Sequence, residues 1–116
     1  MSGTIRFMEG KNGTQNRKGE CSDAAGTRIK FSDNDEFTND DARSVILLNV
    51  REGAVIRIYD NTDGKTSDDY MVIKVKKLVQ QYIVGTFEEN IDDDVVTATY
   101  YPNNGLNGKV SRVEVD

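Results

Sequence analysis

Two stretches of this chain carry the residue types needed to hold a hard cation. In residues 39–50, NDDARSVILLNV, the adjacent carboxylates of Asp40 and Asp41 precede the hydroxyl of Ser44, and the chain then enters a continuous apolar run. Some 53 residues downstream, Asp93, Asp94 and Thr97 repeat the order Asp-Asp-x-x-hydroxyl-small, with Ala98 in the place of Val45. Calcium takes about six to eight hard oxygens, and carboxylates, hydroxyls and backbone carbonyls supply them without His or Cys. The same residues also have a local use. Asp and Asn side chains bond nearby amides at strand starts, and acidic edges keep strands from pairing with other chains.

Other chemistries find less support. The chain has no histidine and a single cysteine, Cys21. The usual general base, the commonest zinc ligand and any intrachain disulfide are thereby removed, which argues against an enzyme. A carboxylate-pair hydrolase would need an apolar pocket to raise one pKa, and the acidic residues instead cluster in turns. Residues 60–69, DNTDGKTSDD, resemble an EF-hand loop only in composition, because counting back from Gly64 puts Tyr59 in the first ligand position.

The elements that must position these loops read as strands. Residues 4–8, 27–31, 54–59, 70–75 and 109–115 alternate apolar and polar side chains, and 45–50, 81–88 and 95–101 are more continuously apolar. Between 15 and 26 the pattern is weak, with Glu20-Cys21 as a possible short strand core. Asn12-Gly13 is a hairpin turn, Gly85 marks a bulge or a close backbone approach, and Phe37 is the one apolar pin in the acidic loop 32–41. Eight or nine short strands without a helix-period segment predict an all-β fold: two Greek keys packed face to face as a β-sandwich, with an extra C-terminal strand.

At 116 residues the chain is expected to form one domain with a core of its own. Hydrophobic residues make up 36% of it and charged residues 30%, and the apolar ones are grouped in runs, as in a globular protein. A net charge of −5 argues against a nucleic-acid partner, and Lys74, Lys76 and Lys77 read as the solvated face of a strand. No apolar run approaches the roughly 20 residues needed to span a bilayer, and residues 1–10 lack a signal-peptide pattern, so a soluble protein without a membrane partner is expected.

Two acidic Asn/Asp-Asn/Asp-x-x-Ser/Thr-Ser loops, each before a buried strand, resemble the βγ-crystallin family, above all its single-domain, calcium-binding microbial members. The resemblance places one Greek key at 4–53, a second at 54–101 and a terminal extension at 102–116. Two registers fit the first loop. One, starting at Asn39, keeps the final Ser but puts Arg43 in the hydroxyl position; the other, starting at Asp40, keeps the Ser44 hydroxyl and loses the final Ser. The family's aromatic corner has no counterpart, since Phe7 is followed by Gly13 and Gln15, and Tyr59 by Lys65 and Ser67.

The resemblance implies two calcium sites made by exchange, with Asp40, Asp41 and Ser44 serving one, and Asp93, Asp94 and Thr97 the other. Carbonyls of residues 9–11 and 60–62 would complete them. Arg43 decides the first site: turned to solvent it leaves Ser44 free to bind, turned inward it fills the site. The alternative function is a metal-independent protein- or glycan-binding or inhibitor module. Its contact surface would be Tyr59, Tyr70, Tyr100, Tyr101 and the Asn-Gly loops.

Overall fold

The computed structural model describes residues 3–116. Ten strands form two antiparallel sheets packed face to face, the all-β sandwich that the alternation predicts. They are β1 (Thr4–Gly10), β2 (Thr14–Ser22), β3 (Thr27–Lys30), β4 (Ser44–Leu48), β5 (Val55–Tyr59), β6 (Tyr70–Val75), β7 (Tyr82–Val84), β8 (Ile91–Asp92), β9 (Val96–Tyr101) and β10 (Arg112–Val115). One sheet has the order β2-β1-β4-β7 and the other β3-β10-β5-β6-β9-β8.

Alternation decides which side chains face inward. Ile5 and Phe7 of β1, Val45 and Leu47 of β4, Ile56 and Ile58 of β5, and Met71, Ile73 and Val75 of β6 meet between the sheets. Phe37 leaves its acidic loop and stacks on Phe31 with ring centroids 4.4 Å apart, close to Phe7. Gly19 in β2 makes room for it, because a Cβ there would strike the Phe37 ring. The Asn12-Gly13 turn adopts left-handed backbone at both residues and joins β1 to β2. The Asn12 amide donates 2.9 Å to the Gly85 carbonyl, the close backbone approach expected at that glycine.

Three features differ from the sequence reading. Most of the weak stretch 15–26 belongs to a nine-residue strand, β2, whose side chains are mostly exposed and which is held by its ladder with β1. The acidic stretch 89–94 contains the short strand β8. The C-terminal strand forms, but as part of the core and not as an extension added to it. Paired with β3 on one side and β5 on the other, β10 lies inside the larger sheet with Val113 and Val115 fully buried.

Candidate functional site

The residues expected as calcium ligands are spread over separate local networks. Ser44 starts β4 and is wholly buried; its hydroxyl donates to the Gly10 carbonyl at 2.6 Å and accepts from the Gly13 amide at 2.9 Å. Asp41 pairs with the Lys18 ammonium at 2.9 Å. The Asp40 carboxylate accepts from the Ser111 hydroxyl at 3.0 Å. Arg43 turns its guanidinium to the Glu9 carbonyl at 3.1 Å. The Lys11 carbonyl accepts from Thr14 at 2.6 Å, so each carbonyl of residues 9–11 already holds a donor.

The second loop is organised differently. Asp93 accepts from the amides of Val95 and Val96, both at 2.9 Å, and from the Tyr82 hydroxyl at 2.6 Å, which caps the start of β9. The Tyr82 hydrogen bond and these amides hold the Asp93 carboxyl below the usual carboxylate range. Burial, then Asp93, pushes Tyr82 up to about 12. Thr97 bonds Asp92, which pairs with Lys76 at 2.6 Å, while Asp94 is exposed. The Asp-Asp-x-x-hydroxyl repeat is thus not a structural repeat: Ser44 is buried beneath the turn that joins β1 to β2, whereas Thr97 is half-buried on the outer face of its sheet beside Asp92. Among the described residues, no group of three His, Cys, Asp or Glu side chains is arranged to hold a metal ion.

The tyrosines behave otherwise. Cross-strand register sets Tyr59 of β5 opposite Tyr70 of β6, and Tyr70 opposite Tyr101 of β9, all on the outer face of the larger sheet. Tyr70 and Tyr101 stack with centroids 4.4 Å apart and planes 9° apart; Tyr59 and Tyr70 follow at 5.9 Å and 24°. Arg112 of β10 lies opposite Tyr59, and Lys30 of β3 opposite Arg112, so one row runs Lys30, Arg112, Tyr59, Tyr70, Tyr101. Tyr101, at its open end, is 43% exposed, whereas Tyr59 is almost covered. The neighbouring row holds Arg28, Glu114, Arg57, Val72 and Thr99. Asp116 bridges Arg28 and Arg57 at 3.0 and 2.7 Å.

Tyr100, adjacent in sequence, points the other way. Its hydroxyl donates to Asp69, a fully buried carboxylate that also accepts from the amides of Asn104 at 2.7 Å and Gly105 at 2.9 Å. The Glu88 carboxylate accepts from Leu106 and Asn107 at 3.0 and 2.8 Å, so two acids clamp the loop 102–108 onto the sandwich. Sequence reasoning saw Asp69 only as part of an acidic turn. The sole indication was its place one residue before a strand, facing a loop rich in Asn and Gly. Burial pushes the Cys21 thiol up to about 12, so it stays protonated and is a poor nucleophile.

The surface of the described residues includes a small apolar gap and a larger open groove. An apolar gap of about 10 Å³ between Leu47, Val50, Val75, Val79, Tyr82 and Val95 has room for no more than a single water molecule. An open groove of about 330 Å³ lies at the cationic end of the tyrosine row, lined by Arg28, Ile29, Lys30, Asp33, Asn34 and Arg112. No family model matches the chain, and no curated protein or solved structure shows significant similarity to it.

Proposed function

We propose that the chain is a non-enzymatic binding module whose contact surface for a protein partner is the outer face of the six-stranded sheet. The observation that carries this reading is the in-register row of Tyr59, Tyr70 and Tyr101, extended by Arg112 and Lys30. Tyrosine and arginine are the side chains most enriched at the energetic centres of protein interfaces. Here they are held on strands and stacked on one another, so little conformational entropy is left to lose on binding. A stacked row also supports the sheet itself, by roughly 0.2–1 kcal/mol per cross-strand pair. Stability and binding are therefore measured side by side.

A second reading keeps the calcium-binding, two-Greek-key domain of βγ-crystallin type. One observation favours it: Asp40, from residues 4–53, lies near enough to Asp60, from 54–101, to help raise its pKa. Burial, Asp68 and Asp69 all act more strongly than Asp40, and Lys109 opposes them. A cation there would tie the two halves together.

The experiment is selection of a displayed random peptide library on the intact chain, run in calcium and in chelator, with thermal midpoints taken in both. Binders are expected in either buffer. Tyr70→Ala and Tyr101→Ala should abolish their capture, while Arg6→Ala on the opposite sheet leaves it unchanged. Failure to enrich any peptide, or enrichment indifferent to both tyrosines, would sink the proposal. A midpoint raised by several degrees in millimolar calcium would favour the second reading.

A further inference from the structure

We infer that the chain pairs weakly with a second copy of itself through β7, strand against strand and antiparallel, so that the two smaller sheets run on as one. The contact lies on the sheet opposite the tyrosine row and does not depend on the proposed binding function. It follows from how the sheet edges are kept. An edge strand offers unpaired amides and carbonyls to any other strand, and folded proteins guard it with charge, with a covering segment or by keeping it short.

The edges at β2, β3 and β8 carry such guards. Along β2, the Thr38 amide donates to the Lys18 carbonyl at 2.9 Å, while Glu36 and Asp41 pair with Arg17 and Lys18, so the loop 32–41 lies against the strand. At β3, Arg28 pairs with Asp116 at 3.0 Å. The turn between β5 and β6 bends back over this end of the tyrosine row and sets Asp63 3.1 Å from Lys30. The strand β8 is two residues long and carries Asp92, and next to it the Asn90 side chain accepts from the Tyr100 amide of β9 at 2.7 Å.

β7 is guarded by its shortness alone. Residues 78–87, LVQQYIVGTF, contain no charged side chain in a chain that is 30% charged. Among the described residues, no hydrogen bond from outside the β4 ladder reaches the backbone of Tyr82, Ile83 or Val84. Register puts Ile83 opposite Ile46 on the outer face of the smaller sheet. Gly13, in the turn after β1, sits against both side chains, yet Ile46 is 9% exposed and Ile83 38%. Leu78, in the same uncharged segment, is 51% exposed. An apolar row thus runs to the edge of the sheet and stops there uncovered.

A second copy is the occupant that this edge fits. Chains of net charge −5 repel one another, and they meet at least cost where neither brings charge. A charged ligand would find nothing in residues 78–87 to recognise. A two-fold axis beside Ile83 makes the contact self-complementary and closed. It sets Ile83 against its counterpart, continues the row as Ile46, Ile83, Ile83 and Ile46, and places Tyr82 across from Val84 of the other copy. A ladder of three residues buries little surface, so the pairing is weak and concentration-dependent.

Sedimentation equilibrium of the intact chain, from micromolar to millimolar concentration, tests the pair. The average mass is expected to rise from one chain towards two and to level there. Ile83→Lys, which sets like charges side by side at the two-fold, should hold the mass at one chain over the whole range. Ile83→Thr, which keeps a branched side chain suited to a strand but loses apolar surface, should weaken the pairing several-fold. Asn16→Lys, on the edge of β2, should leave it unchanged. Thermal midpoints of the variants establish that they are folded. A native chain that stays at one mass, or an Ile83→Lys chain that pairs as well as the native one, would overturn the inference. So would a mass that climbs past two copies, because open stacking needs a further edge. Loss of pairing in Tyr101→Ala, with Ile83→Lys still pairing, would move the contact to the tyrosine row and overturn it as well.

Discussion

At the scale of single residues, Asp69 shows how a carboxylate can be wholly buried in a small domain and remain ionised. Burial pushes its pKa up, but the Tyr100 hydroxyl and the amides of Asn104, Asn103 and Gly105 outweigh burial and set it at about 2, below the ordinary 3.8. A folded-state pKa below the unfolded one gives stability that is complete above about pH 4 and is lost as the pH falls through 2. The loss amounts to about 2 kcal/mol for this residue. Urea denaturation at a series of pH values should show that fall in the native chain and a shallower one in Asp69→Asn. Equal slopes would remove Asp69 from the acid response. None of this was readable beforehand, because Asp69 becomes buried only when the loop 102–108 closes over it, and no local pattern records a contact between residues 35 apart. The calcium-type motif has the opposite lesson. Its residue types were plain in the sequence, but Lys18, Arg43 and Tyr82, which engage those side chains and carbonyls, are set by tertiary packing.

Among the elements, strands with one face in the core were legible, since alternation is imposed by burial on one side only. β1, β3, β5, β6 and β10 all carry it. β2 was not legible, because TQNRKGECS buries little beyond Gly19 and is held mainly through its backbone ladder to β1. β10 was legible as a strand but not in its place, which pairing alone determines. Its interior position has a measurable consequence. Removing residues 112–116 leaves β3 and β5 without their shared neighbour and should abolish cooperative unfolding in far-ultraviolet circular dichroism. The single change Val113→Ala should cost about 2 kcal/mol through the cavity it opens. Leu78→Ala, at a side chain 51% exposed, should cost well under 1 kcal/mol by the same urea titration. A folded, cooperatively melting chain without residues 112–116 would show that β10 is dispensable.

For the molecule as a whole, the two sheets do not correspond to the two halves of the chain. β3 comes from residues 4–53 yet lies in the larger sheet. β7 comes from 54–101 yet completes the smaller one, and β10 joins β3 to β5. Neither half can bury its apolar face without strands lent by the other, so each half should be unstable alone and the chain should unfold in one step. The distribution of tyrosines makes this testable without adding a probe. All five lie between residues 59 and 101, and the chain has no tryptophan, so intrinsic fluorescence reports only on the second half while far-ultraviolet dichroism reports on both. The two signals should give the same urea midpoint, and residues 1–53 produced alone should show no strand dichroism. An earlier fluorescence midpoint, or a folded 1–53 fragment, would mean that the exchanged strands are not what couples the halves. The acidic turn that bends over the tyrosine row would then belong to an independently folding half. Coincident midpoints would make the row, its groove and that turn parts of one cooperative unit, which a partner would meet already assembled.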